Sequence, residues 1–339
     1  MKRQQRIRWT MRWLIELSGE HPTLPRAEVI ACFEAMRARP VGVEEDGTFL
    51  TLIADARPEF IAERLSMSHF VNEEIVSGTL EEIIRSAEKI DLAGARFMVR
   101  APAKGGGSMR HSIETKVGSA LAETGKVDLR APEVTFRVHE GRTWHLCRML
   151  CKVNRPEFER RSTAKRPFKK PVSLHPRLAR TLVNLTRVTW GQKLLDPFCG
   201  TGGILLEASF VGAEVIGSDI DAEMVVGSKR TLNHFQKNAR IIRADISELP
   251  NLVGKVDAIA TDPPYGRSSS TKKEPIESLY LRSFEAFGTL LKPGGHLAIC
   301  LPESKYTTLA GKTLKLIEIH SVRVHGSLTR HFMVFARQP

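Results

Sequence analysis

LLDPFCGTGGILLEA, Leu194–Ala208, passes from an apolar pair into an aspartate, through a glycine-rich turn, and out into a second apolar stretch. It reads as the end of a buried strand, a tight turn and the start of a helix. Gly200 and Gly202 let the backbone bend sharply and approach a ligand closely before the helix begins. A dinucleotide fingerprint would space its glycines G-x-G-x-x-G. Here Gly203 follows Gly202 directly and ILLEA continues, so a pyrophosphate clamp and a nicotinamide-dependent dehydrogenase are disfavoured.

Outward from this turn, short apolar runs (KLLDPF, AEVIGSDID, ARIIRADI, VDAIATDPP, GHLAICLP) alternate with helix-like segments, and the chain closes on two strand-like runs in IEIHSVRVHGSLTRHFMVFARQP. The alternation predicts an α/β fold with a parallel sheet and a closing antiparallel pair. Such sheets bind ligands at the carboxyl ends of their strands, where Asp196, Asp219, Asp245 and Asp262 fall. Asp219, 23 residues after Asp196, is placed to accept both hydroxyls of a ribose. Asp245 is placed to read an exocyclic amino group such as that of adenine, with Ile220 and Ile246 as apolar faces for the ring. Together they describe an adenosine site with no pyrophosphate, the requirement of S-adenosylmethionine.

TDPPYG, Thr261–Gly266, supplies a second chemistry. The carboxylate of Asp262 and the carbonyl of Pro263 can each accept one N–H from an aromatic amine and free its lone pair for methylation. The prolines restrict the backbone that holds these acceptors. Tyr265 is expected to stack on the target base. The following GRSSSTKKEPIES reads as a polar loop able to close over it.

The N-terminal half reads as α+β. The order β-α-β-β-α-β over residues 1–78 predicts a ferredoxin-like unit. Residues 79–152 form a second unit, in which FMVRAPAKGGGSMRHS is a strand running into a glycine-rich turn. A basic linker (153–167) then leads to a catalytic domain at 168–339. Lys and Arg exceed Asp and Glu by 51 to 38, a net charge of +13, and Arg148–Lys170 holds nine basic and two acidic residues. A basic chain with a basic linker favours a polyanionic partner. No apolar run has the length of a membrane span. Five scattered cysteines indicate a reducing, cytoplasmic setting. His145, Cys147 and Cys151 lack a second ligand pair, so no metal site is predicted.

The motifs DPFCGTGG, GSDID, ADI and DPPYG resemble, in this order, those of class I (Rossmann-like) S-adenosylmethionine-dependent methyltransferases acting on exocyclic amino groups. RPFKKPVSLHPRLARTLVNLT, ELSGEHPTLPRAEV and RVHGSLTR resemble stretches of the archaeal tRNA (guanine-10-N2) methyl/dimethyltransferases. GSMRHSIETKVGSALAETGKVDLRAPEVTFRV resembles a THUMP RNA-binding domain. The resemblance implies methyl transfer to N2 of guanosine-10 in tRNA, with one or two methyls left open. It implies Phe168, Ser173, Thr201 and the glycine turn as cofactor contacts. Arg100, Lys104, Arg110 and Arg137 are candidate RNA contacts on the THUMP unit. It further implies a monomeric catalytic subunit, with a small zinc-binding activator protein as a partner of some relatives. Related enzymes for guanine at tRNA position 6 or in ribosomal RNA often carry Asn for Asp262 and Ser for Thr201, so those residues favour position 10. The alternatives in view are those enzymes, a DNA amino-methyltransferase and a non-catalytic RNA-binding protein.

Overall fold

A computed structural model describes residues 10–102, 106–170, 173–266, 274–325 and 328–339. Lys104 and most of the polar loop after Gly266 lie outside them. The chain divides into two compact units. The first takes the chain up to Glu20, then Arg37–Glu63 and Ser68–Val153; the second takes His21–Met36, Arg64–Met67 and Asn154–Pro339. No helix among the described residues is long and apolar enough to cross a membrane.

The N-terminal elements run β1 (Thr10–Leu17), α1 (Leu24–Ala35), β2 (Val41–Asp46), β3 (Phe49–Asp55), α2 (Pro58–Arg64) and β4 (Ser68–Gly78). They continue through α3 (Leu80–Ala87), β5 (Arg96–Arg100), α4 (Gly106–Leu121), β6 (Lys126–Val127), β7 (Val134–Glu140) and β8 (Trp144–Lys152). All eight strands form one sheet in the order β2-β3-β1-β4-β8-β7-β5-β6. Antiparallel pairing of β4 with β8 joins strands from 1–78 to strands from 79–152. Ile83 and Ala87 of α3 and Ile113, Val117 and Leu121 of α4 pack on Phe97, Phe136 and Leu146 of the sheet. Thr79 caps α3 and Glu82 returns the bond, a reciprocal pair that satisfies two otherwise orphaned N–H groups. The glycine-rich turn expected before His111 is shorter than predicted, because Gly106 and Gly107 already belong to α4.

The second unit continues with α5 (Arg155–Arg160), α6 (Pro176–Leu185), β9 (Lys193–Asp196), α7 (Gly203–Phe210), β10 (Glu214–Asp219), α8 (Ala222–His234) and β11 (Arg240–Arg243). It ends with α9 (Leu249–Val253), β12 (Val256–Thr261), α10 (Ile276–Leu290), β13 (Leu291–Leu301), β14 (Leu314–His325) and β15 (Leu328–Arg337). Its sheet has the order β11-β10-β9-β12-β13-β15-β14. Pairing is parallel from β11 to β13 and antiparallel through β15 and β14. Every predicted strand of this half is present, closing pair included.

The stretch expected as a basic linker is folded into this unit. Phe158 of α5 is buried, and Arg161 and Arg166 are only 5% and 2% exposed. Arg161 pairs with the buried Glu207 at 2.8 Å and Arg166 donates to the Arg161 carbonyl at 2.9 Å, so neither is displayed to solvent. α1 also belongs here: Leu24, Ala27 and Ala31 share a core with Met67, Leu182, Val183 and Leu205. Glu28, fully buried, accepts N–H bonds from Ser66 and Met67 and an amide N–H from Asn184 at 2.9 Å.

Candidate active site

The strand order places the predicted acids on one edge. Asp196 and Asp219 end β9 and β10, Asp245 follows β11, and Asp262 follows β12. Because these strands are parallel, all four lie at the carboxyl end of the sheet.

At the turn after β9, Gly200 and Gly202 adopt φ of +48° and +81°, the left-handed region that suits glycine. A Cβ on Gly202 would come 3.1 Å from Ser228 and Leu232 of α8, so the turn is also tight on its inner side. The N–H of Gly200 donates to Asp219 Oδ2 at 3.0 Å, and the N–H of Asp221 to Asp219 Oδ1 at 3.0 Å. Burial raises the Asp219 pKa against these bonds. Asp196 lies deeper: it is 1% exposed and accepts from the Thr261 hydroxyl at 2.7 Å and the Phe198 N–H at 3.2 Å. Burial pushes it up to about 7. Asp196 thus ties the glycine turn to the end of β12.

The segment before α6 lies over this turn. The Ser173 hydroxyl is 2.9 Å from that of Thr201. Phe168 lies over Gly227 of α8, where a Cβ would meet its ring at 2.1 Å. The Asp245 carboxylate is held by Arg282 of α10, through Nη1 to Oδ1 and Nη2 to Oδ2, and accepts the Ser247 N–H at 2.9 Å. Burial alone would raise Asp245, but the Arg282 bonds and charge leave it below the ordinary carboxylate range. Arg282 also binds Glu274, at 2.8 and 2.9 Å. Ile220 is half-buried beside Asp219, whereas Ile246 points into the core with Leu195, Ile216 and Ile259.

At the turn after β12, the Tyr265 hydroxyl donates to Asp262 Oδ1 at 2.5 Å. Arg330 of β15 reaches both, with Nη2 3.7 Å from Asp262 Oδ2 and Nε donating to the Tyr265 hydroxyl at 3.3 Å. The Tyr280 hydroxyl donates to the Pro264 carbonyl at 2.8 Å and its ring packs edge-on against Tyr306. Burial pushes Asp262 up to about 6, with the Arg330 charge pulling the other way. Burial and the neighbouring Asp262 charge raise Tyr265, which keeps its hydroxyl protonated and donating. Arg330, Arg282 and Tyr280 were not singled out in the sequence. Only Arg330 had a signal, as the last residue of RVHGSLTR.

Of the candidate RNA contacts, Arg100 ends β5 and is half-buried, and Arg110 pairs with Glu114 at 3.0 Å within α4. Arg137 is engaged inside its own unit, pairing with Glu16 at 2.9 Å and lying 3.7 Å over the Phe70 ring. Cys147 and Cys151 lie on β8, Cys147 fully buried.

The methyltransferase-domain family UPF0020 (RMKL-like) matches residues 163–331. The tRNA (guanine(10)-N2)-dimethyltransferase of Methanothermobacter thermautotrophicus is 36% identical over 96% of this chain and 100% of its own length. The chain belongs to the archaeal tRNA (guanine(10)-N2)-dimethyltransferase family. Another tRNA (guanine(10)-N2)-dimethyltransferase, from Pyrococcus abyssi, is 31% identical over 94% of this chain and 98% of its own. Among solved structures, TrmN from Thermus thermophilus superposes with a TM-score of 0.53 at 25% identity, covering 96% of this chain and 99% of that one. The resemblance to that family read from RPFKKPVSLHPRLARTLVNLT, ELSGEHPTLPRAEV and RVHGSLTR therefore holds along nearly the whole chain.

Proposed function

We propose that this chain methylates N2 of guanosine-10 in tRNA, using S-adenosylmethionine, to give N2-methylguanosine and then N2,N2-dimethylguanosine. The observation that carries this reading is the intact Asp262–Pro263 pair at the carboxyl end of the sheet, in a chain so similar to guanine(10)-N2 enzymes.

The residues present fit the cofactor. The glycine turn is open at Gly200, where a Cβ would come no nearer than 4.0 Å, to the Phe198 carbonyl, and Asp219, held by the Gly200 N–H, faces that turn as an acceptor for sugar hydroxyls. Ser173 and Thr201 close the turn from the α6 side, and Phe168 lies beside it. When bound, S-adenosylmethionine supplies an electrophilic methyl group on a positively charged sulfur.

Asp262 and the Pro263 carbonyl accept the two N–H bonds of the guanine amine, which turns its lone pair out of the ring plane. Tying the next carbonyl, that of Pro264, to Tyr280 fixes the orientation of the turn. Asp262, held near pH 6 and paired with Arg330, is ionised at neutral pH and able to take the proton the amine loses. Tyr265 donates to Asp262 through its hydroxyl while its half-buried ring flanks the turn. Reaching guanosine-10 requires turning the base out of its helix, at a cost of a few kcal/mol.

For the N-terminal elements, the β-α-β-β-α-β succession along the chain and the order β2-β3-β1-β4 support a ferredoxin-like half, and β5–β8 with α3 and α4 support a THUMP half that holds tRNA by shape and phosphate. The test is transfer of labelled methyl from S-adenosylmethionine to an unmodified tRNA transcript, followed by site mapping. Label at guanosine-10, absent from a transcript with adenosine there, supports the reading. Label at another guanosine keeps the chemistry and removes the site.

A further inference from the structure

The helix after the β12 turn also reaches the turn after β11, a contact that proton removal by Asp262 does not require. Every N–H group of Arg282 on α10 has a partner there. Nε donates to Glu274 Oε1 at 2.9 Å. Nη1 donates to Asp245 Oδ1, and to Ser247 Oγ at 2.9 Å. Nη2 donates to Asp245 Oδ2 at 3.0 Å and to Glu274 Oε2 at 2.8 Å. One guanidinium thus binds two carboxylates, each through a pair of N–H bonds. The helix that carries it is itself held, since Tyr280 donates to the Pro264 carbonyl and packs on Tyr306, and Ser283 and Phe284 are buried.

Burial does not demand this arrangement. The side chains of Asp245, Arg282 and Glu274 are each about a quarter exposed, so water could satisfy them, and an ion pair in contact with solvent adds little stability. What the guanidinium supplies is direction. The Asp245 N–H donates to Glu248 Oε2 at 2.7 Å, and its Oδ1 accepts the Ser247 N–H at 2.9 Å, so backbone and carboxylate are fixed together. Among the hydrogen bonds of the described residues, Oδ1 takes two and Oδ2 one, so Oδ2 keeps room for a further donor. Burial raises the Asp245 pKa and the bonds and charge of Arg282 outweigh it, which keeps the group an anion that accepts and does not donate.

We propose that Arg282, braced by Glu274, is a positioning residue that makes this site selective for a 6-aminopurine over a 6-oxopurine, by holding the Asp245 carboxylate as a fixed acceptor. This rests on Asp245 as the reader of the donor's adenine amino group. An amino group offers an N–H to a fixed carboxylate, whereas a 6-oxo group sets a second acceptor against it and is repelled. A carboxyl group free to swing aside, or to take up a proton and donate it, would escape that repulsion and the selectivity would fall. Lysine cannot stand in, because an ammonium is a point charge without the planar fork that pairs with a carboxylate.

The experiment is calorimetric binding of S-adenosylhomocysteine and its 6-oxo counterpart, S-inosylhomocysteine, to the full chain. The wild-type chain should favour the adenine ligand by roughly 10–100-fold, the range for a hydrogen bond to a charged group. Arg282→Met should cut that ratio by about tenfold, mostly through lost adenine affinity. Arg282→Lys, which keeps the charge without the fork, should give a ratio between the two. A ratio unchanged in both variants, or equal weakening of both ligands, overturns the positioning role and leaves Arg282 a structural tie between α10 and the turn after β11. A wild-type chain that binds both ligands alike overturns Asp245 as the amino-group reader, and the role of Arg282 with it. One that binds neither ligand overturns the donor itself.

Discussion

The turn after β9 and the turn after β12 both end a parallel strand with an aspartate, and they are held by different means. The first is shaped by backbone. Gly200 and Gly202 supply left-handed conformations, and Asp219 is fixed by main-chain N–H groups. The second is shaped by side chains drawn from far along the chain: Arg330 of β15 reaches Asp262 and Tyr265, and Tyr280 of α10 takes the Pro264 carbonyl. A backbone-built turn holds its aspartate in place, whereas a turn held by charges and hydroxyls also sets the proton affinity of its aspartate.

That contrast is sharpest at Asp262. Asp262→Ala should lower turnover by on the order of 10²–10⁴-fold, the worth of a positioned acid–base group, while S-adenosylhomocysteine binds as before. Normal single-turnover rates would move the chemistry away from the second turn. At the first turn, Gly202→Ala forces a side chain into left-handed backbone, costing about 1–2 kcal/mol, and presses on Ser228 and Leu232. Thermal denaturation should show a lower midpoint and titration a weaker donor; an unchanged midpoint would mean that this backbone relaxes freely.

A pH profile separates the turns again. Asp262 accepts hydrogen bonds and a proton only as carboxylate, and its pKa is raised to about 6. kcat/KM should therefore hold above pH 6 and fall as pH drops through it. Arg330→Met removes the charge that opposes the rise, so the acid limb should move to higher pH. A limb that stays in place would detach Arg330 from Asp262. The smallest effect is expected for Tyr265→Phe, which keeps the ring and removes one hydroxyl, a loss of roughly 3–10-fold in kcat/KM. A much larger loss would give the hydroxyl a direct part in the reaction.

The difference between the turns also explains what could be read in advance. Gly200, Gly202 and the strand-ending aspartates declare themselves locally, because a turn needing left-handed backbone writes glycine at fixed positions. Asp262 and Pro263 were legible for the same reason. Their partners were not: Arg330 lies 68 positions from Asp262, and nothing in local pattern pairs them. Arg282 on Asp245 escaped notice likewise, as did the turn of Ile246 into the core, where strand-end alternation gave no warning. The basic run misled because charge in sequence reads as solvated charge, while Arg161 is paired with a carboxylate on α7 and Arg166 is buried beside it, bonded to the Arg161 carbonyl.

The interleaved membership of α1 bears on how the molecule is made. Glu28 and its apolar neighbours complete the core of the second unit, whose partner residues Thr181 and Asn184 are translated much later. At ~5–20 residues per second, α1 waits on the order of ten seconds for α6 to emerge. The second unit thus takes a helix made about 150 residues before most of its core. Cutting the chain after Val153 would strip α6 of the helix that covers it, so a fragment starting at Asn154 would leave the ribosome with an open core.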